Sequence, residues 1–365
     1  MLLNIGETLA FLRKEKKITQ QELADFVGVT KASVSKWENG QSYPDITLLP
    51  LLAAYFDQTI DELLNYQPQL TTHEIQRIYH SLQGDVKKAP AETLVRFRNL
   101  VKRYYSCYPF LIQMSLFLLN HGDQLPYEEK NGYQSEAQQL LDHVIRQSQD
   151  PRIVAEAEKL LAYISLIAGE NERVLALLGE WPPVEMPAAP LIAAAYQQQD
   201  PVKATAVMQS AIYQELAIMM SFLTNYLQIL GPDPVKTKAT VQRGEQLAMQ
   251  FELASLNPIN YLNFLAAAIV SQALVGNKSE LTRLLQRFII LLETTPFPTA
   301  LHGDAYFDQI EGWLEEQASG NQYPRETTLV KQDFLTIIEF PMLQVYQTDA
   351  EVGPLLKTLS AMKGM

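Results

Sequence analysis

Apolar residues recur at steps of three and four along nearly the whole chain, and strand-like alternation is scarce. That period predicts an all-α protein. At the N-terminus, Ile5, Leu9 and Leu12 mark the inner face of a helix over residues 4–16. Thr19-x-x-Glu22 is a capping box, so a second helix starts there, with Leu23, Ala24 and Val27 inward. Gly28 permits a turn that a β-carbon residue resists. Thr30 caps a third helix, which runs to about Asn39 before Gly40 stops it. A fourth helix is expected over Asp45–Tyr55, with Pro50 early in it. A fifth begins at a second box, Thr59-x-x-Glu62.

The third helix divides its faces. Val34 and Trp37, three apart, share one side. Ala32, Ser35 and Lys36 fall away from it, and Lys31 leads. An apolar grip on one side and a polar, cationic face on the other suit a helix lying in the major groove.

Ala24, Gly28, Val34, Trp37 and the ending Glu38-Asn39-Gly40 give residues 4–66 a resemblance to the Cro/repressor-type (Xre) helix-turn-helix family. The resemblance implies a five-helix DNA-binding domain over residues 1–66. It also implies base reading by Lys31, Ala32 and Ser33, with Ser35 or Lys36 further along. Gln20 becomes a phosphate clamp, and Asn39, Gln41 and Ser42 hold the other strand's backbone. Arg13 and Glu38 take a structural ion pair. The plainer alternative for Lys31 and Lys36 is a solvated face.

Beyond the linker NYQPQLTT at 65–72, a third box, Thr71-x-x-Glu74, opens a connecting helix to about Leu82. Residues 67–90 read as linker and connecting helix, and 91–365 as a helical domain. Turn signals recur at Gly169, Gln199-Asp200-Pro201, Gly231, Gly276 and Ser319-Gly320-Asn321, about 30–45 residues apart, the range of helical-hairpin repeats. Leu160–Leu178, Ala189–Met208 and Ala266–Leu285 each read as helix, turn, helix. TNYLQ at 224–228 aligns with INYLN at 259–263. These stretches resemble degenerate tetratricopeptide repeats, which implies a superhelical array of hairpins; an irregular helical domain is the alternative.

A repressor-type domain followed by such repeats is similar to the peptide-sensing regulators of the Rgg and PlcR kind. The resemblance implies a homodimer on a palindromic operator in double-stranded DNA, with a short signalling peptide in the helical groove. A peptide backbone needs side chains that both donate and accept, and Asn offers both. Asn225, Asn260 and Asn263 are therefore candidate peptide ligands, with Tyr226 and Tyr261 as walls. Against this, the tyrosines read equally as core packing and the asparagines as caps. The competing function is a DNA-bound scaffold that recruits a protein partner. Arg96, Arg98, Lys102 and Arg103 form the most basic segment outside the DNA domain; flanking DNA, an acidic partner or solvent would each suit it.

Composition modifies this picture in one respect. The chain carries a net charge of −12. In residues 1–66, six cations (Arg13, Lys14, Lys16, Lys17, Lys31, Lys36) face nine carboxylates. The usual basic footprint is absent, so modest non-specific affinity and dependence on two copies are expected. The single Cys107 excludes a disulfide within one chain and reads as a buried thiol. His73 and His80, seven apart with no nearby cysteine, make a poor zinc pair. No phosphate loop, nucleophile elbow or H-E-x-x-H occurs. Neither enzyme nor cofactor is expected. The start reads as an amphipathic helix rather than a signal peptide, and no apolar run approaches a membrane span, so a cytoplasmic protein is expected.

Overall fold

The computed structural model describes residues 5–64, 69–128, 131–184, 186–317, 320–323, 325 and 327–363. Asn4, residues 65–68 of the expected linker, Glu185 and Ser319 lie outside them. Among the described residues every regular element is helical. The chain forms two compact units: Met1–Thr71 with Arg98–Leu111, and Thr72–Phe97 with Ile112–Met365.

In the first unit, α1 spans Ile5–Glu15, α2 Gln20–Val27, α3 Lys31–Glu38, α4 Leu49–Tyr55 and α5 Ile60–Leu63. The capping boxes expected at Thr19 and Thr59 form: Thr19 accepts from the Glu22 amide while Glu22 reaches back, and Thr59 and Glu62 do the same. Gly28 turns the chain at φ 74°. Ile5, Leu9, Leu23, Ala24, Val27, Val34, Trp37, Leu52 and Leu63 close one core, with Leu12 at its edge. The fourth helix departs from expectation. Asp45 caps a short 3-10 turn, Ile46–Leu48, and the α-helix proper starts only at Leu49. Pro50 has no N–H to give residue 46, and its ring crowds that carbonyl, so the preceding turn tightens.

The connecting helix α6 spans Thr72–Val86 and is four residues longer than expected. Ile75, Tyr79, Leu82 and Val86 are all buried along one face, which carries the helix past Leu82. α7 (Pro90–Arg103) and α8 (Tyr108–His121) follow, then α9 (Gly132–Gln147), α10 (Pro151–Ile167), α11 (Asn171–Leu178) and α12 (Ala189–Tyr196). Next come α13 (Pro201–Ile229), α14 (Pro234–Gln250), α15 (Leu253–Leu256), α16 (Pro258–Leu274) and α17 (Lys278–Thr294). α18 (Glu311–Glu316), α19 (Thr327–Leu335), α20 (Pro341–Gln344) and α21 (Val352–Lys363) complete the chain. The three expected hairpins are α10–α11, α12–α13 and α16–α17, and each pair packs together. The array is irregular, however. α13 runs 29 residues because no Gly or Pro interrupts it between Pro201 and Gly231. α16 is the hub of the second unit's core, packed by α13, α14 and α17, with Leu262, Phe264, Leu265 and Ala268 inaccessible to solvent.

Candidate DNA-reading helix and helical cavity

α3 is anchored by what it buries. Val34 and Trp37 lie in the core, and Gly6 lets α1 approach until its Cα sits against the Trp37 carbonyl. Thr30 caps the helix by accepting from the Ser33 amide, 3.2 Å away. On the opposite side Lys31, Ala32 and Lys36 are exposed, and Ser33 and Ser35 half-buried. The two serines are already engaged locally: Ser33 Oγ lies 2.9 Å from Thr30 Oγ1, and Asn39 Nδ2 donates to the Ser35 carbonyl at 2.8 Å and to Ser35 Oγ at 3.4 Å. Gln41 is exposed and Ser42 half-buried in the loop beyond.

The expected ion pair is present and two-pronged. Arg13 Nε and Nη2 donate to the two oxygens of Glu38 at 2.6 and 2.9 Å, and Arg13 Nη1 reaches the Ile18 carbonyl at 2.9 Å. Gln20 Nε2 donates to Glu38 at 2.9 Å, so in this structure the expected phosphate clamp is turned inward. Burial alone would raise the Glu38 pKa. The hydrogen bonds from Arg13 and Gln20 and the charges of Arg13 and Lys14 outweigh it and hold the carboxylate below its ordinary value. Of the six cations, Lys16 is also tied down, over the Tyr55 ring at 4.7 Å and beside Asp57 at 3.6 Å. Lys14, Lys17, Lys31 and Lys36 make no ion pair among the described residues.

In the second unit a cavity of about 830 Å³ lies against α13, α16, α19 and α20. Asn225, Asn260 and Asn263 all line it, although 35 residues separate the first two. Asn225 and Asn260 each spend one amide proton inside the protein, on the carbonyls of Ser221 at 2.9 Å and Ala217 at 3.0 Å. Their oxygens stay open as acceptors, and the Asn263 side chain makes no hydrogen bond among the described residues.

Neither of the tyrosines expected as walls lines this cavity. Tyr261 is 1% exposed, takes a hydrogen bond from Arg287 Nε at 2.6 Å, and faces away from the cavity. Tyr226 is exposed outside it. In a helix each tyrosine stands about 100° round from the asparagine before it, so the pair cannot share one face. The apolar wall comes instead from Phe334, Ile337, Phe340 and Met342. Nothing local in the sequence joins those residues to α13. A signal was present on α13 itself: Ser221, Thr224, Asn225 and Gln228 are a polar stripe at helical spacing, and all four line the cavity.

Elsewhere, Arg96 pairs with Asp85 at 2.7 Å, and Cys107 is buried, accepting from the Leu70 amide at 3.4 Å. His73 and His80 contact Gln76 and Gln83 respectively, and no metal-holding cluster occurs among the described residues. Nor is any described helix long and apolar enough to cross a membrane.

Residues 9–63 match the family model for the helix-turn-helix, and the N-terminal segment is such a domain. The chain is similar to the transcriptional activator BcrR of Enterococcus faecalis, 34% identical over 88 residues, which is 22% of this chain and 43% of that protein. It is also similar to the transcriptional regulator AnsR of Bacillus subtilis, 38% identical over 66 residues, 18% of this chain and 57% of that one. The chain thus spans about half the length of the curated relatives it matches. Among solved structures, the apo competence regulator ComR of Streptococcus vestibularis aligns with 80% of this chain and 93% of its own. The identity is 12% and the TM-score 0.29. Bacillus thuringiensis PlcR, in complex with the peptide PapR7 and DNA, aligns over 80% and 95% at 12% identity and a TM-score of 0.26.

Proposed function

We propose that the chain is a sequence-specific DNA-binding transcription regulator whose second unit binds a short peptide and holds two copies together. The observation that supports it best is the division of α3. Val34 and Trp37 are buried and Lys31, Ala32 and Lys36 are exposed, within a matched helix-turn-helix domain. In this reading the leading end of α3 enters the major groove. Lys31 or Lys36 donates to guanine O6 and N7, and Ala32 meets a thymine methyl or leaves room for it. Asn39, Gln41 and Ser42 hold the backbone, and Gln20 turns out from Glu38 to a phosphate. The acidic chain gives little non-specific attraction, so two copies on half-sites one helical turn or a multiple apart supply the affinity.

The cavity supports the peptide. Its volume suits several residues, and its amide stripe faces an apolar wall. A specific observation also favours the scaffold alternative. Trp181, Val184 and Met186 are 80% or more exposed between α11 and α12, as a protein-docking surface would be. The test is native mass spectrometry of the chain purified from its host, beside selection of bound duplexes from randomised DNA. A bound peptide lost in Asn225→Ala, with a two-fold DNA site, supports the proposal. A bound protein and no peptide favours the scaffold, and the absence of any selected site refutes both.

A further inference from the structure

The charges around the cavity are one-sided. Among the described residues lining it there is no Lys, Arg or His, and Asp333, on α19, is the one carboxylate. The rest of the lining is amide, hydroxyl or apolar. A free peptide carries an ammonium at one end and a carboxylate at the other. A carboxylate entering this cavity finds no cation, and moving an uncompensated charge out of water is costly. An ammonium finds Asp333.

Asp333 already has a partner, but a poor one. Arg325 Nε stands 3.3 Å from Asp333 Oδ2, while Nη2 of the same guanidinium stands 3.6 Å from Asp123. The Nε atom is shut off from solvent and makes no hydrogen bond, so the pair is close without being aligned. Asp333 keeps more than half its side-chain surface exposed. An incoming ammonium with three freely directed protons can form the aligned, charge-assisted bond that Arg325 does not. The exchange leaves Asp333 paired and Arg325 still beside Asp123.

Resting on the peptide reading above, we infer that the cavity takes its ligand by the amino end, with Asp333 receiving the peptide's terminal ammonium in place of Arg325. The ligand's carboxyl end stays outside.

The test uses the full chain and two matched pools of synthetic heptapeptides with uncharged side chains and amidated C-termini, one with free and one with acetylated amino termini. Affinity selection read by mass spectrometry should retain members of the free-amine pool. For any retained sequence, acetylation should weaken Kd by roughly threefold to fivefold, the size of one charge-assisted bond to a half-exposed carboxylate. Asp333→Asn should cost the same factor and erase the difference between the two forms. Arg325→Gln, which removes the competing cation, should tighten the free-amine form. Circular dichroism and thermal midpoints serve as folding controls. Equal Kd for free and acetylated forms, or an unchanged Kd in Asp333→Asn, overturns the inference while leaving the peptide reading standing. Retention of neither pool overturns the peptide reading, and the inference with it.

Discussion

Replacing Arg13 by Met tests what holds the reading helix in place. The guanidinium and the Glu38 carboxylate are 13% and 7% exposed and are joined by two hydrogen bonds. After the substitution Glu38 keeps the hydrogen bond from Gln20 and the nearby charge of Lys14. Removing one partner of a buried pair costs about 3–5 kcal/mol, since the other charge is left uncompensated; the residual exposure of both groups argues for about 3. A domain of roughly 60 residues has about 3–9 kcal/mol of stability in total, so the variant loses a third or more of it. Arg13→Met/Glu38→Leu should recover much of the loss, because two apolar side chains replace two charges. The cycle should show coupling of about 2 kcal/mol. Hydrogen exchange at the α2 and α3 amides of the full chain reads this locally, without averaging over the larger unit. A cost under about 1 kcal/mol for the single variant, or a double variant that costs the sum of the singles, would refute the reasoning.

Three further outcomes are expected. Gly6→Ala places a Cβ on the Trp37 carbonyl oxygen. It should cost about 1–3 kcal/mol or more, with protection lost in α1 and α3 and retained in α16; unchanged protection in α1 would contradict the packing. Asn263→Ala should weaken the retained peptide by about 1 kcal/mol in calorimetry, whereas Tyr226→Phe, outside the cavity, should leave its affinity alone. Asp349 caps α21, and the Val352 amide, Lys278 and the Glu351 amide hold its pKa down to about 2. Its stabilisation is complete above the unfolded value and disappears as pH falls through the folded one. The thermal-midpoint gap between the parent chain and Asp349→Ala should therefore be flat from about pH 7 to 5 and shrink between about 4 and 2; a gap as wide at pH 2 as at pH 7 would refute it.

Local signals carried much of the architecture. Thr19/Glu22 and Thr59/Glu62 announce helix starts because the bonds they make span three residues. Gly28, too, turns the chain where a glycine was the cheapest residue to do so. The 3-10 turn before Leu49 was half visible in Pro50, whose effect falls on the residues before it. The cavity was harder to read. Asn225, Asn260 and Asn263 were singled out because an amide both donates and accepts, and all three line the cavity, yet the repeat also drew in Tyr226 and Tyr261, which the helix turns onto other faces. Asp333 and Phe334 lie more than 100 residues from Asn225, and no periodicity predicts that α19 returns to α13. Gln20 shows a different limit: its identity suited a phosphate, but in this structure the neighbouring Glu38 claims it.

The reading face of α3 is tested most directly by selecting operators from randomised duplex DNA with the parent chain and with Lys36→Ala side by side at fixed salt. If Lys36 reads a base, both select the same two-fold site. The variant then binds it about 1–3 kcal/mol more weakly and loses preference at one position in each half-site. Identical preference and affinity in the variant, and again in Lys31→Ala/Lys36→Ala, would mean that α3 does not read the operator.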